Sequence, residues 1–236
     1  AWYRPDNMAL VMVGDFDVEQ VRSMIEKKFS GLQPRSDHFT KKVKDTRWQS
    51  HKGNKAFYYF EPEAGTTDVT IETVTWKPFA PETIESLKMI ILQRIGNSIV
   101  QNRLSRIVRS PESPFTEASI WSGHYLRHIQ ASALSASCKP EKWQDTLIDL
   151  ENILRQALEY GFEPEEFDRV RSDFISSLES SAKQESTRKS ESIARSLLSK
   201  INNDKLLLSE NQKKDLLVPY INKLTIEDVY MAFKQT

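Results

Sequence analysis

Between residues 55 and 138 the sequence sets a pair of β-prone segments on each side of one long helical pattern, and that order restricts the fold more than any other feature. Lys55–Glu61 carries Phe57-Tyr58-Tyr59-Phe60, and Pro62-Glu63-Ala64-Gly65-Thr66 supplies a turn. Val69, Ile71, Thr73, Val74 and Trp76 then give a second segment with partial alternation. Pro78 and Pro81 end it. Ile84, Leu87, Ile91, Ile95, Ile99, Leu104 and Ile107 keep a helical spacing behind Glu82, with Gly96-Asn97 in the middle where a bend or a close backbone approach is expected. Residues 115–138 return to strand character and divide at Gly123-His124. Two-stranded steps between helices exclude the one-strand, one-helix alternation of a doubly wound fold.

The two ends complete the pattern. Pro5 restricts Arg4 to extended backbone, and Ala9-Leu10-Val11-Met12-Val13 is apolar without alternation, which predicts a strand covered on both faces. Gly14-Asp15 breaks it, Asp17 stands at an N-cap, and Val21, Met24, Ile25 and Phe29 give a helix closed at Ser30-Gly31. A chain that opens so abruptly on a core strand is expected to be a piece of a longer polypeptide. After Pro140 everything reads as helix: 141–160 closed by Gly161, a helix begun by Pro164, one over 190–201, and shorter ones over 213–222 and 226–234 behind Thr225. The expectation is an α+β fold over 1–236, with a mixed, mainly antiparallel sheet of five or six strands and helices on one face. Residues 1–140 form the sheet with two helices, and 141–236 are mainly helical.

Composition narrows the partners. Thirty-three basic and 33 acidic residues leave no net field to draw the chain to nucleic acid. No apolar run approaches the ~20 residues needed to span a bilayer. Cys138 stands alone, so a disulfide within the chain or a multi-thiolate metal site is excluded, and the side chain reads as a small buried hydrophobe.

Tyr3, Pro5, Asn7, Met8, Leu10, Val13, Gly14 and Asp15 together resemble the opening of the second domain in the insulinase/pitrilysin family of zinc metallopeptidases. The order of the later elements agrees, strongly over 2–29 and more loosely to about residue 200. The resemblance implies mixed sheets covered by helices on one side. It also implies a supporting role: this domain lines a peptide chamber beside a separate zinc-binding domain of the same polypeptide, and that domain hydrolyses the peptide substrate. A second possibility within the family is a scaffold or assembly subunit that has lost the zinc ligands. Bacterial members are often exported to the periplasm, so analogy favours that compartment.

Catalytic chemistry is not expected in the chain itself. The family's His-x-x-Glu-His, in which two histidines hold zinc and the glutamate activates water, does not occur. The nearest string, His124-Tyr125-Leu126-Arg127-His128, puts Arg127 where a carboxylate is needed. It also lies on strand or turn, where residues four apart are ~13 Å from each other. No cofactor is therefore expected here, and zinc belongs to the domain outside this chain. His38 and His51 fall in a polar loop and read as solvated.

One pair of residues carries a binding expectation. The family has an Arg and a Tyr near the end of the long helix and the next strand that hold substrate backbone, and Arg109 and Phe115 are the nearest counterparts, with Arg103 and Arg106 upstream. Phe115 lacks the hydroxyl and the spacing is one residue short. Read from the residues alone, Arg109 is a helix C-terminal charge and Phe115 a core ring.

Overall fold

In the computed structural model, residues 5–33, 51–125 and 128–236 are described. The helices are α1 (Val18–Phe29), α2 (Ile84–Val108), α3 (Trp143–Tyr160), α4 (Pro164–Lys183), α5 (Ser190–Asn202), α6 (Glu210–Ile221) and α7 (Ile226–Phe233). The strands are β1 (Thr67–Trp76), β2 (Phe115–Tyr125) and β3 (Ile129–Cys138). The described residues divide into two compact units: 5–33 with 186–207, and 51–185 with 208–236.

The smaller unit holds α1 and α5. Asp17 caps α1 by accepting from the Gln20 amide at 2.9 Å, as its place before the helix predicts. The apolar run ahead of it does not become a strand. Residues 8–13 have no ladder partner among the described residues, and Met8, Leu10 and Met12 stay exposed. Apolar composition alone cannot make a strand when the backbone groups find nothing to pair with.

In the larger unit the sheet has three strands in the order β1-β3-β2, all antiparallel. Five or six were expected. Besides the run at 9–13, the aromatic segment 55–61 also has no ladder partner among the described residues: Phe57 to Phe60 are exposed, and the turn after them forms, with the Ala64 amide on the Glu61 carbonyl at 3.1 Å. The fold is α+β, and helices cover one face of the sheet. Ile95, Ile99, Val100 and Leu104 of α2 are fully buried in one core with Leu134, Ala136 and Cys138 of β3, and Val69, Ile71, Ala118 and Ile120 pack at its margin. Each large side chain buried this way contributes about 1.5–3 kcal/mol. Gly96 is the expected close approach, since a Cβ there would stand 3.0 Å from the Cβ of Phe233 in α7.

The helix ends follow their local chemistry. Thr83 caps α2, and Ser209 and Thr225 form capping boxes with Gln212 and Asp228 at α6 and α7. Glu185 accepts from the Glu210 and Asn211 amides, which places a carboxylate at the start of α6.

Gln101 of α2 closes the outer edge of β2. Its amide donates to the Ala118 carbonyl at 3.0 Å and accepts from the Ile120 amide at 3.1 Å, reproducing one step of a ladder with a side chain. Gln101→Ala is expected to cost about 1–3 kcal/mol by stranding those two groups, read as a lowered urea midpoint with an unchanged slope. A shift below a few tenths of a kcal/mol would show that water replaces the amide at no cost.

Candidate functional site

Because side chains alternate along a strand, the register fixes what each face of the sheet carries. Val69, Ile71, Ala118, Ile120, Leu134 and Ala136 share the helix-covered face. The opposite face is exposed and polarised along the strands. One end is the row Asp68-Ser137-Glu117 and the other the row Trp76-Ile129-Tyr125. Trp76, Trp121 and Tyr125 are 50%, 44% and 60% exposed on it. Trp121 lies beside Gly123, where an added Cβ would stand 3.5 Å from the indole, an ordinary contact. Ala131 and Ala133 of the central strand are small and buried, so the bulk comes from the outer strands. Beyond the last row the ring of His128 stacks on Trp76, with centroids 6.0 Å apart and planes 4° from parallel, and Phe79 meets it edge-on.

Acidic residues hold the other end. Asp68, Glu72 and Glu117 stand on this face, and no position that the register assigns to it is Lys, Arg or His. Asp68 accepts from the Ser137 hydroxyl at 2.5 Å, and Thr70 pairs with Ser135 at 3.0 Å.

Of the three arginines at the end of α2, Arg103 and Arg106 are engaged within the fold. Arg103 bonds Glu166 of α4 at 2.5 Å and the Gly161 carbonyl at 3.0 Å, and its guanidinium lies over the Phe162 ring. Arg106 reaches the other Glu166 oxygen at 2.8 Å. The Arg103 and Glu166 side chains are only 10% and 14% exposed. Burial of the Glu166 carboxyl opposes ionisation. The Arg103 hydrogen bond, the Glu163 amide and the charges of Arg103 and Arg106 outweigh that and hold its pKa below the ordinary glutamate value. The cluster braces α2 against α4.

Arg109 is exposed at the C-cap of α2, with its amide on the Ile107 carbonyl. Phe115 is 2% exposed within the core. Thr116 is the cause: it bulges out of the β2 ladder between Phe115 and Glu117, which shifts the alternation by one and turns Phe115 to the helix side beside Cys138. The two residues do not meet on one accessible surface. Near them a shallow groove of about 580 Å³ runs between Arg106, the loop at Ser110–Pro114 and the Asp149–Gln156 side of α3. Asp149 there has its pKa raised, by burial first and by the neighbouring Asp145 second.

His124 is exposed in β2 opposite Gln130. His51 is exposed too, and His38 lies outside the described residues. Among the described residues no three His, Cys, Asp or Glu side chains come together as a metal site needs. A family zinc ion finds no donor set in them. Cys138 is buried, its thiol against the Thr67 carbonyl. No helix among the described residues is long and apolar enough to cross a membrane.

Comparison with known proteins agrees with this architecture. The chain is 24% identical over its whole length to the probable zinc protease PqqL of Haemophilus influenzae, and 23% identical over 99% of its length to the protein of that name in Escherichia coli. It spans 25% of the length of each. Among solved structures, the first half of the periplasmic protease PqqL from Escherichia coli superposes with a TM-score of 0.77 at 17% identity, over 94% of this chain and 47% of that one. A predicted insulinase family protease from Yersinia pestis gives 0.68 at 12% identity, over 94% and 47%. Residues 1–174 match the family described as Peptidase M16 inactive domain, and the chain belongs to that family.

Proposed function

We propose that this chain is the non-catalytic wall of an insulinase-like zinc endopeptidase, with its open sheet face lining the space that holds the peptide. The observation that carries the reading is a sheet that, among the described residues, is covered by helices on one side, with Trp76, Trp121 and Tyr125 left exposed on the other. A wall of this kind holds extended peptide, while a zinc-binding domain of the same polypeptide polarises the scissile carbonyl and activates water. Its relatives named as zinc proteases support the parent activity, and the Escherichia coli neighbour described as periplasmic supports that compartment. Arg109, exposed at the end of α2, is the residue offered for contact with substrate backbone; Phe115 supports the turn from inside the core.

The test compares this chain with the longer polypeptide that carries it, by zinc content and by cleavage of an unfolded peptide. The chain alone is expected to hold no stoichiometric zinc and cleave nothing, and the longer polypeptide to do both. Zinc in the chain alone that is lost in His124→Ala or His128→Ala overturns the reading. A longer polypeptide without zinc or cleavage replaces it with the scaffold role.

A further inference from the structure

We infer that the open sheet face selects extended peptides carrying an aromatic residue and a basic residue four positions apart. This rests on the reading of that face as a peptide wall and adds the chemistry of what it accepts. Two independent features point to it. Trp76 and Tyr125 stand in the row at one end and Trp121 in the middle row, each exposing aromatic surface to an apolar side chain, and aromatic pairs gain from such contact beyond their buried area. At the other, Asp68 and Glu117 flank the last row and Glu72 stands between the two ends, without a cation at any position of the face.

The register sets the spacing. Trp121 and Glu117 are four residues apart on β2 and therefore on the same face, roughly 13 Å from each other at ~3.3 Å per residue. An extended peptide running along the strands has the same rise. Its residues i and i+4 project to one side with the same separation, so an aromatic ring at i over Trp121 brings a lysine or arginine at i+4 to Glu117, with Asp68 two strands across in the same row adding to the negative field. Acidic residues at that position meet like charge and are rejected.

The test measures binding of synthetic heptapeptides to the 236-residue chain by tryptophan fluorescence at low salt. The probes carry Trp and Lys at i and i+4 in both orders, Trp and Glu at the same places, or Ser and Lys. The Trp–Lys probes are expected to bind about tenfold more tightly than the Trp–Glu probe, a margin that shrinks when salt rises. The tighter order gives the peptide's direction. Asp68→Asn/Glu117→Gln, both on exposed side chains, is expected to erase that margin and leave the dependence on Trp intact. Trp121→Ala is expected to weaken both Trp probes about tenfold. Equal binding of the Lys and Glu probes, or a margin that survives the double variant, overturns the inference. The chamber reading fails separately: there the chain discriminates as described, but Trp121→Ala in the longer polypeptide leaves KM for the Trp–Lys sequence unchanged.

Discussion

Glu166→Ala is expected to destabilise the chain by about 3–5 kcal/mol, because it leaves the nearly buried Arg103 guanidinium without its carboxylate. Three features are lost together: the bond from Arg103, the bond from Arg106 and the capping contact with the Glu163 amide at 3.2 Å. Replacing both members by apolar residues, Arg103→Met/Glu166→Leu, is expected to recover much of the loss, since no charge is then stranded. Urea unfolding of the single and double variants measures this. A single-variant loss below 1 kcal/mol would mean that water reaches Arg103. The pH dependence follows from the same cluster. The folded-state pKa of Glu166 lies below the ordinary 4.5, so its contribution is complete above that value and is lost as pH falls through the depressed folded pKa. An acid-unfolding curve for Glu166→Gln is therefore expected to be flatter than wild type below pH 4.5.

Phe115→Ala is expected to cost about 3–5 kcal/mol, the range for deleting a fully buried aromatic side chain. Phe115→Tyr separates two roles for the position. If the ring is a core element, the added hydroxyl enters an apolar site and costs roughly 1–3 kcal/mol. If the position serves substrate, as the family's tyrosine does, the substitution leaves stability unchanged and lowers KM in the longer polypeptide. Arg109→Ala, on an exposed side chain, is expected to change stability by less than about 0.5 kcal/mol. Thermal unfolding of the three variants, with cleavage kinetics beside it, decides between the roles.

The helices were legible to within a few residues because their signals are local. Asp17 and Thr225 each cap where a short polar side chain precedes a periodic apolar run, Pro164 begins α4, and α2, read as opening at Glu82, is capped one residue later by Thr83. The sheet was legible in part. β1 falls where alternation places it, and β2 and β3 occupy 115–138 as expected, but the break comes after Tyr125 and not at Gly123-His124, which pair within β2; 9–13 and 55–61 are as β-prone as any of these and have no ladder partner among the described residues. Strand pairing depends on partners distant in sequence, which composition does not report. The open face was hidden for a related reason. Trp76 and Trp121 are far apart in the chain, and only the β1-β3-β2 order puts them on one side. Phe115 depends on the bulge at Thr116, which nothing in the residue pattern announces. The Arg103–Glu166 brace joins positions 63 apart in sequence and left no spacing signal.

The side-chain amide that stands in for a neighbouring strand at Gln101 has a consequence for self-association. With the Ala118 carbonyl and the Ile120 amide taken, a second copy pairing along the outer side of β2 has to displace Gln101 first, so that stretch of edge resists recruitment where a bare strand would invite it.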